Sequence, residues 1–167
     1  MNHVAHDDDY LEDEDTQKDK YLTFQLAGES YAIDIKHVVE IIGMQRFTEV
    51  PDAAAYVRGV INLRGQIIPL VDVRLRFRMQ ARPYGDRTCI IIVEVDNVQV
   101  GLIVDEVSEV LDIPEDLVSP PPRTGKGTQG RFLRGVGRSE HDVKLLLNID
   151  ALLTDTQLEA LEADAVS

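Results

Sequence analysis

The chain reads as an all-β protein assembled from two related halves of five short strands each. Three observations predict this. The sequence repeats itself at a nearly constant spacing, its apolar residues alternate with period two or run in short β-branched stretches, and turn residues punctuate those stretches. Strands this short make a small barrel or a sandwich, and closure is the usual way such folds remove exposed edges.

The repeat is direct. A shift of 69 residues lays Tyr21-Leu22-Thr23-Phe24-Gln25-Leu26 on Ile90-Ile91-Ile92-Val93-Glu94-Val95, and the turn Ala27-Gly28-Glu29 on Asp96-Asn97-Val98. The same shift puts Tyr31-Ala32-Ile33 on Val100-Gly101-Leu102, and Val38-Val39-Glu40-Ile41-Ile42 on Val107-Ser108-Glu109-Val110-Leu111. Farther on the shift reads as 76 for Arg58-Gly59-Val60 on Arg134-Gly135-Val136, and as 78 for Ile67–Asp72 on Leu145–Asp150.

In order, the first half has strands at 21–26, 30–34, 38–44, 57–62 and 66–71. The first places Leu22, Phe24 and Leu26 on one face. The second half has strands at 88–95, 98–104, 107–111, 132–137 and 143–148. A half of about 65 residues is small for an independent core, so the two units are expected to fuse across a shared apolar seam. Helix is sparse: a turn near Ala53–Tyr56, another at Val73–Phe77, and a C-terminal amphipathic segment. That segment is capped at Thr154 or Asp155 and carries Leu158 and Leu161 on one side.

Charge is strongly acidic, 17 basic against 30 acidic residues, and uneven. Residues 1–19 carry eight carboxylates against Lys18 alone, net −7, and the remainder is net −6. The first segment has no apolar periodicity and repels itself, so it reads as a disordered tail. A tail of that length spans about 25 Å end to end. The overall sign argues against a general nucleic-acid binder. No run approaches a membrane span and the start is unlike a secretory signal. One cysteine, Cys89, permits no internal disulfide, and a cytoplasmic protein is expected. The division is thus a tail at 1–19, two intertwined units at approximately 20–87 and 88–153, and a C-terminal helix and tail at 154–167.

Catalytic constellations do not emerge. Gly125-Lys126-Gly127-Thr128 has the residue types of a phosphate loop but lacks its leading glycine, and it follows three prolines. Asp72 and Asp105 each end an apolar triplet and read as strand-end caps. His3, His6, His37, His141 and Cys89 have no metal-ligand spacing, and no cofactor is expected. The chain does present a turn, Asn62-Leu63-Arg64-Gly65, whose tip carries a hydrophobe and a cation that a plain turn does not require. Between Arg58 and Arg87 seven arginines (58, 64, 74, 76, 78, 82, 87) face only Asp72 and Asp86, net +5. This patch is either a docking surface or the wet face of a segment whose inner residues are Leu75 and Phe77.

These residues resemble the CheW-type chemotaxis coupling proteins. The resemblance runs from about Tyr21 to Leu153 and is carried by Phe24-Gln25-Leu26, Tyr31–Ile35, Val38–Ile41, Gly101–Val107 and Phe132–Gly137. Its most specific piece is Val57-Arg58-Gly59-Val60-Ile61-Asn62-Leu63-Arg64-Gly65-Gln66-Ile67-Ile68-Pro69-Leu70-Val71-Asp72-Val73-Arg74. It implies two fused five-stranded SH3-like barrels and a non-catalytic adaptor joining chemoreceptor tips to the regulatory domain of a histidine kinase. By matching position, it implies receptor contacts at Val38 and Gly59. Glu40 and Arg64 match a family pair that bridges or holds the receptor groove in shape, and Leu63 at the same tip joins this set. Kinase contacts fall at Ile67, Cys89 and Ile90. A second kinase contact maps to Ser119–Thr124, where the chain departs from its relatives. Two other readings stay open: a small-ligand or phosphate-binding domain using the basic patch and Gly125–Gly130, and the same adaptor fold in a non-motility receptor pathway.

Overall fold

The computed structural model describes residues 17–121 and 131–154. The first half forms β1 (Lys20–Leu26), β2 (Glu29–Asp34), β3 (Val38–Gly43), β4 (Val57–Leu63) and β5 (Gln66–Asp72), followed by the single turn of α1 (Val73–Arg76). The second forms β6 (Cys89–Val95), β7 (Val98–Val104), β8 (Glu106–Asp112), β9 (Val118–Ser119), β10 (Leu133–Ser139), β11 (Asp142–Leu147) and α2 (Ile149–Leu153). The ten expected strands are present, each within two residues of its expected bounds. β9 is additional, and the turn expected near Ala53–Tyr56 is present, Val57 N–H donating to the Ala54 carbonyl at 2.9 Å. The expected helix beginning at 154 or 155 lies outside the described residues apart from its first position.

The halves do not fold side by side. One sheet runs β8-β1-β2-β11-β10-β9 and the other β3-β6-β7-β5-β4. Each sheet therefore takes the opening hairpin of one half and the last three repeat strands of the other, with β9 added to the six-stranded sheet, joined by the parallel pairs β2·β11 and β5·β7. Among the described strands both ladders stay open, with no pairing of β8 to β9 or β3 to β4. The outer edge of β4 is partly covered where Thr48 bridges Val60, and that of β10 where β9 pairs Ser119 with Val136.

Register corrects the last offset of the repeat. β4 pairs β5 at Gly59↔Leu70 and Val60↔Pro69; β10 pairs β11 at Gly135↔Leu146 and Val136↔Leu145. Both strands of each hairpin are thus related by 76, not 78, and Asp72 corresponds to Asn148. The caps agree: the Asp72 carboxylate accepts from Leu75 N at 3.3 Å, and Asn148 Oδ1 accepts from Ala151 N at 3.0 Å. The leucine run at 145–147 fits either register by hydrophobicity alone, so the cap is the informative position. Turn backbones repeat as well. Ala27 and Asp96 have φ of 52° and 53°, and Arg64 and Glu140 have φ of 51° and 47°.

Three apolar clusters result. Ile61, Ile68, Leu70, Ile90, Ile92 and Ile103 fill the five-stranded unit, while Tyr21, Ala32, Ile113 and Leu146 fill the six-stranded one. The largest cluster, including Phe24, Tyr31, Phe77, Ile91, Leu102, Phe132 and Leu152, lies between them. This is the seam that the small size of each half demanded.

Candidate functional site

The receptor candidates gather on the five-stranded sheet. Val38 opens β3 opposite Val93 of β6, next to a register break at Glu40, and packs against the seam cluster. Glu40 forms an ion pair with Arg64 at the tip of the β4–β5 turn. Gly65 N–H donates to Asn62 Oδ1 at 2.9 Å and closes that turn, so the bridge ties an edge strand to a hairpin on the far side of the sheet. Leu63 does not protrude as its position at a tip suggested. It packs against the interior cluster of the five-stranded unit, because the turn's exposed residues are Asn62, Arg64 and Gly65. Gly59 is buried, and a Cβ there would sit 2.2 Å from the Thr48 carbonyl oxygen, so glycine is required where β4 meets the 44–56 segment.

The kinase candidates separate. Ile67 on β5 is 42% exposed, a large apolar side chain facing solvent opposite Asn62. Cys89, at the start of β6, is half-buried and its thiol donates to the Arg87 carbonyl at 3.3 Å. Ile90 is fully buried inside the five-stranded unit and presents no surface. Strand alternation explains the correction: neighbours along β6 point to opposite faces, so Cys89 and Ile90 cannot both face a partner. Ile41 and Val39 on β3, 43% and 46% exposed, are surface hydrophobes that sequence reasoning missed. They flank Glu40 in a strand with apolar residues at both parities, so the pattern alone does not say which face is out; in the fold Val39 and Ile41 are exposed while Val38, Glu40 and Ile42 are half-buried.

The arginine patch is largely engaged. Arg74 makes a two-pronged pair with Asp105 at 2.9 and 2.6 Å, and Arg82 approaches the same carboxylate at 3.7 Å. Arg87 pairs with Glu106 at 3.3 Å. Arg76 is buried, contrary to the wet-face reading, and Arg78 is exposed. Asp105 also accepts from Ala27 N–H at 2.9 Å, tying the β1–β2 turn to α1. Burial alone would raise the Asp105 carboxyl, but the Arg74 and Ala27 hydrogen bonds outweigh it and hold the group below its usual range. Tyr84 donates to Asp72 at 2.8 Å, and burial, then that carboxylate, push its hydroxyl above the ordinary tyrosine value. These groups line a cleft of about 470 Å³ in which acids and bases neutralise one another. Among the described residues no cluster of metal-binding side chains occurs, and no helix is long and apolar enough to cross a membrane. Gly125–Gly130, His3, His6 and residues 122–124 of the second kinase contact lie outside the described residues; Ser119 is exposed.

Residues 20–157 match the family model of the CheW-like domain. The chain belongs to the CheW-like family. It is 31% identical to the chemotaxis protein CheW of Klebsiella aerogenes over 92% of both chains. It is 34% identical to the chemotaxis protein CheW of Rhizobium meliloti over 83% of this chain and 90% of that one. The crystal structure of the scaffolding protein TtCheW from Thermoanaerobacter tengcongensis superposes with a TM-score of 0.76 at 34% identity, covering 83% of this chain and 94% of that one. CheW-like proteins are non-catalytic coupling adaptors of chemotaxis signalling, and this chain is one of them.

Proposed function

We propose that this CheW-like protein joins the cytoplasmic tips of chemoreceptors to the CheW-like regulatory domain of a chemotaxis histidine kinase, working in the cytoplasm beside membrane receptor arrays. Receptor contact uses Val38 at the seam margin, with the buried Gly59 keeping β4 close to the 44–56 segment and the Glu40–Arg64 bridge holding β3 against the β4–β5 turn. Kinase contact uses Ile67 and the half-buried Cys89. The observation that carries the reading is Ile67. It is a large aliphatic residue on β5, 42% exposed, within a chain whose other isoleucines on β5 and β6 are buried.

Calorimetric titration with the kinase regulatory domain at two salt concentrations tests it. Saturable one-to-one binding is expected, with little salt dependence because Ile67 is apolar and Arg74, Arg82 and Arg87 are each paired with a carboxylate. Ile67→Asp is expected to weaken binding by about tenfold or more while leaving the melting temperature unchanged. No binding between two folded wild-type proteins would overturn the kinase assignment.

A further inference from the structure

A buried charge sits where the two units meet. Arg76 ends α1 at 5% exposure. Its guanidinium carbon lies 4.5 Å from the Tyr56 ring centroid and 4.7 Å from that of Phe132, and its Nε–H donates to the Leu152 carbonyl at 3.1 Å. The offset of 76 that relates β4 to β10 also relates Tyr56 to Phe132 and Arg76 to Leu152. The guanidinium therefore stacks between two equivalent rings and bonds to its own counterpart, at the local two-fold axis of the repeat.

One half supplies arginine at this repeat position and the other supplies Leu152, whose side chain is fully buried in the same seam. Tyr56 and α1 belong to the five-stranded side, leading into β4 and out of β5; Phe132 and α2 belong to the six-stranded side, leading into β10 and out of β11. Phe77, next in sequence, extends the stack with its ring 5.4 Å from Phe132 and 5.6 Å from Tyr31. A planar cation can stack on both faces and still donate in plane, and a lysine ammonium cannot.

We propose that Arg76 is the positioning residue that sets the angle between the two units. Through that angle it shapes the receptor-facing surface at Val38, which packs against the same seam. The link to the receptor rests on the function proposed above; the geometric role does not.

Spin labels at Glu94 on β6 and Val143 on β11, both exposed, report the separation of the two sheets in a Cys89→Ser background used for the distances alone, and affinities are measured on the unlabelled protein with Cys89 in place. Arg76→Met is expected to broaden the distance distribution about twofold, with Arg76→Lys between it and wild type. Affinity for a receptor-tip fragment should fall about fivefold, while affinity for the kinase domain, read through Ile67, should stay within about twofold. A general loss of stability would weaken both partners alike, and equal losses would overturn the functional half of the proposal. An unchanged distribution in folded Arg76→Met would overturn the geometric half. Should Arg76→Met fail to fold, Phe132→Leu removes one ring and keeps the bond to Leu152; an unchanged distribution there overturns the proposal equally. If the wild type binds no receptor fragment, the receptor assignment fails while the distances still decide the role of Arg76.

Discussion

The two units share strand order, register and turn backbone, yet their corresponding surfaces differ in charge. At one hairpin tip Arg64 pairs with Glu40 of the edge strand. At the corresponding tip of the other unit stands Glu140, and the residue corresponding to Glu40 is Glu109, so a cation facing an acid is replaced by two acids. The crossings behind the hairpins differ too. Thirteen residues (44–56) separate β3 from β4, whereas twenty (113–132) separate β8 from β10. The two halves keep what the ladders need and differ in surface charge and in the length of the crossings. Two unequal faces on one pseudo-symmetric body suit an adaptor that meets different neighbours.

The largest expected effects lie at the glycine crossings. Gly59→Ala puts a methyl 2.2 Å from the Thr48 carbonyl oxygen, and Gly135→Ala puts one 2.8 Å from that of Ser119. Gly59→Ala should cost about 3 kcal/mol and Gly135→Ala about 1 kcal/mol, because both methyls meet ladder-paired backbone and the closer approach at Gly59 demands the larger displacement. Chemical denaturation of both variants measures the difference, and equal losses would mean that the two crossings are equivalent after all.

A smaller effect comes from the tie between the units at Asp105. Its carboxyl lies below the ordinary value of 3.8 in the folded state, so its contribution to stability is complete above about pH 5 and is lost as the pH falls through the folded value. Asp105→Asn should lower the melting temperature at pH 7, and the gap to wild type should narrow progressively as the pH falls below the ordinary value of 3.8. A gap that stays constant across that range would show that Asp105 acts through shape alone.

The smallest effect is at the tips. Arg64→Ala should cost under about 1 kcal/mol, since Arg64 is largely exposed, and Glu140→Arg should regain about half that by facing Glu109 with a cation. Thermal melts at low and high salt check both, and a gain in Glu140→Arg that survives high salt would point to packing instead of charge.

Strands and turns were legible along the chain because their signals are local: Leu22, Phe24 and Leu26 alternate, and Gly28 and Gly65 mark turns wherever the backbone goes afterwards. The candidate site was legible in part. Asn62-Leu63-Arg64-Gly65 announced a hairpin tip, but that Leu63 turns inward depends on the interior behind it, formed by residues from both halves. Ile67 and Ile90 look alike in sequence, and only their places in the pleat separate a surface residue from a core one. The arginine patch misled for the same reason. Asp105 lies 31 residues from the Arg74 it neutralises and Phe132 lies 56 from the Arg76 it stacks on, so a local count of charges saw neither.

By itself, the sequence determined that the chain is all-β, that it is duplicated, and where nearly every strand begins and ends. These are properties of period and turn chemistry, carried by residues a few positions apart. The tertiary structure alone decided that the halves exchange strands, that the last repeat offset is 76, that Ile90 is core, and that Arg76 occupies the axis between the units. Each of those depends on which distant segment lies alongside. Apolar runs such as 89–93 and 145–147 can pair in several ways of similar hydrophobic content, and only complete packing, with its caps, glycine crossings and buried charge, selects one.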